Sequence, residues 1–151
     1  MKDKRAAVIL LAEDDIADQE LTKRAFEACK IDNALIIVND GEQALDYLYR
    51  RNKYSDPATS PTPDLLILDL NMPKVDGFQV LETMNRDPKL KMIRIIVLTT
   101  SDQEQDILKS YSCGVTSYVT KPINPDDFFR AIFELNEYWF SIVKLPPKEG
   151  R

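Results

Sequence analysis

Glu13, Asp14 and Asp15 stand in a row directly after the apolar run Ala7–Ala12, and Asp69 closes a second apolar run, Leu65–Leu68. If the two runs are neighbouring strands of a parallel sheet, Glu13, Asp14 and Asp69 meet at one edge. Ligands of open α/β sheets bind there, in the crevice beyond the carboxyl ends of the strands. Carboxylates placed so close repel one another and need protons or a cation between them. All-oxygen ligation by a few protein groups suits Mg²⁺, which keeps several waters and then meets phosphate oxygens. The alternative is that Glu13–Asp15 only cap the following helix, since acids favour helix N-termini.

Two further residues stand at strand ends. Lys121 follows the run Ser117–Thr120, and Thr99 follows Ile95–Leu98. Opposite a carboxylate cluster, the Lys121 ammonium can hold a phosphoryl oxygen as a point charge. The Thr99 hydroxyl can donate to the same group. Taken singly, Lys121 reads as a solvated charge and Thr99 as an ordinary β-branched strand residue. The chain contains no histidine, so no Ser-His-Asp or Cys-His machinery can be built from it. Any histidine chemistry must come from another molecule.

The elements that position these residues alternate along the chain. Ala7–Ala12, Leu35–Val38, Leu65–Leu68, Ile95–Leu98 and Ser117–Thr120 read as strands. The second to fourth are continuous apolar runs, as expected of parallel strands covered on both faces. Helix starts are marked by Asp40 with Gln43, Asp76 with Gln79 and Ser101 with Glu104, each fitting a capping box. Asn124-Pro125-Asp126-Asp127 supplies a cap, a first-turn proline and first-turn acids. Such alternation predicts an α/β fold with a doubly wound parallel sheet. The proline-containing stretch Asn52–Pro63 reads as a surface loop within this domain.

A length of 151 residues suits one domain. Its 25 acids against 20 bases, a net charge of -5, argue against direct nucleic-acid binding, which needs a basic face. Cys29 and Cys113 lie in no CxxC or zinc-like cluster and read as packed thiols of a cytoplasmic protein. The N-terminal apolar run is too short for a signal-peptide core, and no stretch is long enough to span a bilayer.

Four motifs together resemble the receiver family of two-component signalling. They are EDD after the first strand, LLILDLNMPKVDG around Asp69, VLTTS ending the fourth strand's run, and SYVTKP after the fifth, all within about Val8 to Leu135. The resemblance implies a five-stranded flavodoxin-like sheet of order 2-1-3-4-5. It implies that Asp69 is the phosphoacceptor and that a sensor histidine kinase is the donor. Glu13 and Asp14 match the metal-binding acids, with Asp14 the direct ligand, and the backbone carbonyl of Asn71 matches a third protein ligand of Mg²⁺. Thr99 and Lys121 match the phosphoryl-binding pair, Thr99 and Tyr118 the switch, and Pro122 a cis-proline. Tyr118 also reads simply as a half-buried strand tyrosine. The long Asn52–Pro63 loop and the Trp-containing C-terminal segment resemble the subgroup that partners phytochrome-type sensor kinases. The expected organisation is a single receiver domain over 1–151, with a core at 7–135, a helix extension at 136–147 and no output domain. Such a chain is a signalling domain rather than an enzyme, and it signals through protein contacts.

Two other chemistries fit less well. A phosphatase of the haloacid dehalogenase type needs a second acid two residues after its nucleophile, where this chain has Asn71. A flavodoxin-like FMN carrier needs a hydroxyl-rich or glycine-rich phosphate loop after the first strand, where Glu13-Asp14-Asp15 would repel phosphate. In the last helix Phe128, Ile132, Leu135, Trp139 and Ile142 form one apolar stripe, expected to face the sheet. Phe129, Phe133, Phe140 and Val143 form a second, which reads either as a homodimer surface or as a stripe covered by the Asn52–Pro63 loop or the LPP tail.

Overall fold

The computed structural model describes residues 7–28, 33–72, 74–99, 115–121 and 124–142, with the backbone alone at 99, 115–118, 120 and 135–142. Five strands, β1 (Ala7–Ala12), β2 (Asn33–Val38), β3 (Leu65–Asp69), β4 (Arg94–Thr99) and β5 (Val115–Thr120), form one parallel sheet. Their order is β2-β1-β3-β4-β5, as the family resemblance implies. The described helices are α1 (Ile16–Glu27), α2 (Gly41–Leu48), α3 (Gly77–Arg86) and α4 (Pro125–Ile142), with a short 3₁₀ turn at Asn52–Tyr54.

The period-two alternation of a strand divides each apolar run between two layers. Leu10, Leu66, Leu68, Ile95 and Val97 pack on one face with Tyr47 of α2 and Val80, Leu81 and Met84 of α3. Ile9, Leu11, Leu65, Ile67, Ile96 and Leu98 pack on the other with Phe26 of α1 and Phe128 and Ile132 of α4. The strand order reverses between β1 and β3, and the crevice at that reversal receives the residues following Ala12 and Leu68.

The second apolar run is covered less completely than the first and third. Leu35–Ile37 are only half-buried, unlike the fully buried β1 and β3. β2 pairs on one side alone, with β1, so it is an edge strand, with Ile36 packed on one face and Leu35 and Ile37 on the other. The strands also run slightly beyond their apolar runs, and β5 begins at Val115 with a bulge opposite Ile95–Ile96.

Local chemistry starts the helices. Asp76 and Gln79 form the expected reciprocal capping box on α3. At α2, Asp40 accepts from the Gln43 N–H at 2.8 Å, but the Gln43 side chain accepts from the Asn39 N–H at 2.9 Å, one residue before the cap. At α4 the Asn124 side chain accepts from the Asp126 N–H at 2.8 Å. The Ser101–Glu104 cap lies outside the described residues.

The long loop folds over α2. Buried Tyr47 donates its hydroxyl to the Pro61 carbonyl at 2.7 Å and meets Tyr54 edge-on, while Arg50 donates to the Ser60 carbonyl at 3.2 Å. Burial pushes the Tyr47 phenol up to about 12. These contacts lie on the α2–α3 side of the sheet. Phe129 and Phe133, stacked at 6.2 Å, are half-buried on the α1–α4 side. The loop segments fixed by these contacts are therefore docked away from that pair. The Phe140 side chain, Val143, the LPP tail, Cys29 and Cys113 lie outside the described residues.

Candidate functional site

Glu13 follows β1 and is held by its backbone, whose N–H donates to the Val38 carbonyl at 3.1 Å. Its side chain is fully buried, and its Oε2 accepts from the Asp15 N–H at 3.1 Å. Asp15 is the N-cap of α1 and accepts from the Asp18 N–H at 3.0 Å. The acidic triplet therefore divides its labour: Asp15 caps, Glu13 braces the turn, and Asp14 is left exposed to the cleft.

Asp69 ends β3, is 2% exposed, and accepts from the Asn71 N–H at 3.0 Å through Oδ1. Carboxylate oxygens of Glu13, Asp14 and Asp69 lie within 4.8 Å of one another. Together with Asn71 and Lys121, Asp14 and Asp69 line an open cleft of about 590 Å³, rimmed on its apolar side by Ile16 and Ala17.

Lys121 reaches this cleft from beyond β5, across the end of β4. Its Nζ lies 2.8 Å from Glu13 Oε1, 3.0 Å from Asp69 Oδ2 and 3.0 Å from Asp18 Oδ2. Burial alone would lower its pKa. The neighbouring carboxyl groups of Glu13, then Asp69 and Asp18, reverse this and hold the ammonium firmly protonated. The Lys121–Asp69 contact is a well-formed hydrogen bond. Glu13 Oε1, by contrast, has the ammonium's charge beside it but no well-directed hydrogen bond.

Burial, followed by the charge of Asp69, pushes the Glu13 carboxyl up to about 8 despite the opposing pull of Lys121. One lysine is thus too little positive charge for this set of acids. A buried, poorly bonded carboxylate oxygen beside two further carboxylates is a donor set that fits a hard divalent cation. The Glu13 shift has a testable consequence. Between the ordinary carboxyl value of 4.5 and about 8, the folded protein holds a proton on Glu13 that the unfolded chain has released. The slope of stability with pH from this group is therefore negative. Its contribution is complete below the lower value and lost as pH rises towards the upper one. In chelator-treated protein, the melting temperature of the parent relative to Glu13→Gln is expected to fall across this window. A constant difference between the two would refute it.

The register brings the remaining strand-end residues to the same edge. Asp69 is opposite Leu98, and Thr99 is opposite Thr120, the residue before Lys121. The Thr99 side chain lies outside the described residues, as do the Tyr118 side chain and Pro122. The backbone of Tyr118 pairs with Val97. Asp18 was not singled out in the sequence, because an acid in a helix's first turn is already explained by the helix dipole. Gly41 and Gly77 also escaped notice, although both helix starts press against the chain that follows Asp69. A Cβ on Gly41 would lie 1.9 Å from the Val75 carbonyl oxygen, and one on Gly77 2.6 Å from the Asp69 carbonyl oxygen.

Among known proteins, the family model for the response regulator receiver domain matches residues 9–133. The response regulator Rcp1 of Synechocystis sp. is 41% identical over 139 residues, covering 92% of both chains. The crystal structure of the Mn²⁺-bound form of Rcp1 superposes with a TM-score of 0.83 at 40% identity, covering 93% of this chain and 99% of that one. The phosphorylated cyanobacterial phytochrome response regulator RcpA gives a TM-score of 0.83 at 38% identity, covering 95% of this chain and 100% of its own.

Proposed function

This chain belongs to the response regulator receiver domain family of two-component signalling, and on that premise we propose that Asp69 is its phosphoacceptor, served by Glu13, Asp14, Asn71, Thr99 and Lys121. The observation that carries the assignment is the buried Asp69 carboxylate. It lies at the switch point of the sheet, 3.0 Å from Lys121 and within 4.8 Å of two other acids.

A carboxylate oxygen of Asp69 attacks phosphorus in line. The bond from phosphorus to the donor imidazole of a sensor histidine kinase breaks, and its electron pair stays on the ring nitrogen. The donor histidine belongs to the kinase, since this chain has none. Glu13, Asp14, Asp69 and the Asn71 carbonyl would hold Mg²⁺, which supplies charge to offset the carboxylates and the incoming phosphoryl oxygens. Lys121 holds a phosphoryl oxygen as a point charge, and the Thr99 hydroxyl donates to another. Water later hydrolyses the acyl phosphate. Thr99 and Tyr118 relay the change to the surface. That surface comprises β5 and α4.

Incubation with a small acyl phosphate should label the protein in a Mg²⁺-dependent, acid-labile manner. No labelling with Mg²⁺ present, in protein that also refuses phosphate from every sensor kinase offered, would overturn the reading. Metal binding separates the acids further. Asp14→Ala is expected to weaken Mg²⁺ binding about tenfold or more in calorimetry. Asp15→Ala should cost about 1 kcal/mol of stability as a lost helix cap and leave the affinity nearly unchanged. Equal losses would count against Asp14 as the direct ligand.

Likeness to Rcp1 and to the phytochrome regulator RcpA supports a kinase of the phytochrome type as the partner. The stripe Phe129, Phe133, Phe140 and Val143 supports a two-fold homodimer through α4. Phe129 and Phe133 are stacked and only half-buried, which leaves apolar area for a second copy. Phe133→Glu combined with Phe140→Glu should then sediment as a folded monomer that still labels on Asp69. A monomeric parent, both phosphorylated and not, would sink the dimer. Among the described residues, no helix is long and apolar enough to cross a membrane.

A further inference from the structure

The Lys121 ammonium lies within 2.8–3.0 Å of the carboxyl groups of Glu13, Asp18 and Asp69. A phosphoryl oxygen arriving at Asp69 competes with them for the ammonium. The three are not equally able to yield. Glu13 is fully buried and braced by the Asp15 N–H. Asp69 is nearly as buried, is itself the group modified, and stays bonded to the Asn71 N–H. Asp18 sits in the first turn of α1 with its side chain 25% exposed, so water can take over its oxygen when the lysine leaves.

We infer that Asp18 is a positioning residue that holds Lys121 in the unphosphorylated protein and competes with the phosphoryl group for it. The inference rests on the phosphoacceptor reading of Asp69 and adds to it the group that opposes phosphorylation. Two effects act in the same direction. Asp18 pairs with the ammonium at 3.0 Å and so competes with the phosphoryl oxygen for it, and its negative charge repels the incoming anion. Its helix-building part is separate, because the Asp18 N–H is capped by the Asp15 side chain and its carbonyl accepts from the Thr22 hydroxyl at 2.8 Å. Neither bond uses the Asp18 carboxylate.

Beryllium fluoride with Mg²⁺, a non-hydrolysing mimic of the aspartyl phosphate, is the probe, and calorimetry the readout. Asp18→Asn is expected to bind it roughly two- to fivefold tighter than the parent, the scale of one solvent-screened charge contact. Asp18→Glu should bring the affinity back towards that of the parent. A residue needed only for folding would do the reverse, lowering both the melting temperature and the affinity. If the Asn variant melts early, Asp18→Ser is read in the same way. Binding that is equal or weaker in a variant melting like the parent overturns the inference alone. No beryllium fluoride binding by the parent overturns the phosphoacceptor reading, and the inference with it.

Discussion

Asp69→Asn is expected to abolish acid-labile phosphorylation while leaving the protein at least as stable as its parent. The first half follows from chemistry, since an amide oxygen is no nucleophile for phosphorus under conditions where a carboxylate is. The second half follows from electrostatics. The Asp69 charge is one cause of the raised Glu13 pKa, so removing it relieves a repulsion that the metal-free fold now bears. An Asn side chain can keep the acceptor role towards the Asn71 N–H, its amide nitrogen then standing where Oδ2 met Lys121, whose ammonium retains Glu13 and Asp18 beside it. Loss of label together with an unchanged or higher melting temperature separates a missing acceptor from a damaged fold. Undiminished label in the Asn variant would place the acceptor elsewhere.

Residues that act through their own strand were legible in the sequence. An acid immediately after a buried apolar run has one place to go in a parallel sheet, the carboxyl edge, and Glu13, Asp14 and Asp69 are found there together. Lys121 was legible for the same reason, at the end of the fifth strand. Features that depend on which elements become neighbours were not. Leu35–Ile37 reads as apolar whether its strand is central or at the edge, and only the sheet order places it at the edge, where these residues are half-buried. Asp18 acquires its meaning from an ammonium that arrives from a strand about a hundred residues later. The path of the Asn52–Pro63 loop is set by the reach of Tyr47 and Arg50, which no local pattern announces.

Gly41→Ala should destabilise the protein at a helical position where the same exchange normally helps. In an open helix, Ala is favoured over Gly by about 1 kcal/mol. Here Gly41 begins α2 and is buried against the segment that joins Asp69 to α3. An added Cβ would meet the Val75 carbonyl oxygen at 1.9 Å and the Val75 Cβ at 2.9 Å. The nearest obstacle is backbone, so a side-chain rotation cannot make room. The segment is also held from its other flank. Lys74 has a φ of 65°, uncommon for a residue with a side chain, and its ammonium lies 3.8 Å from Asp40 and 3.7 Å from Glu42. Downstream, the Gly77 N–H donates to the Leu70 carbonyl at 3.0 Å. Moving Val75 therefore disturbs the turn that carries Asn71 and fixes the Asp69 carboxylate. Overpacking of this kind costs about 1–3 kcal/mol, with backbone displacement. The melting temperature should fall by roughly 2–4 °C for each kcal/mol in a chain of this size. Mg²⁺ affinity should fall with it, because the carbonyl assigned to the metal lies on the displaced turn. A variant that melts higher than the parent, as the helix preference alone demands, would show that α2 and the turn after Asp69 are not in contact.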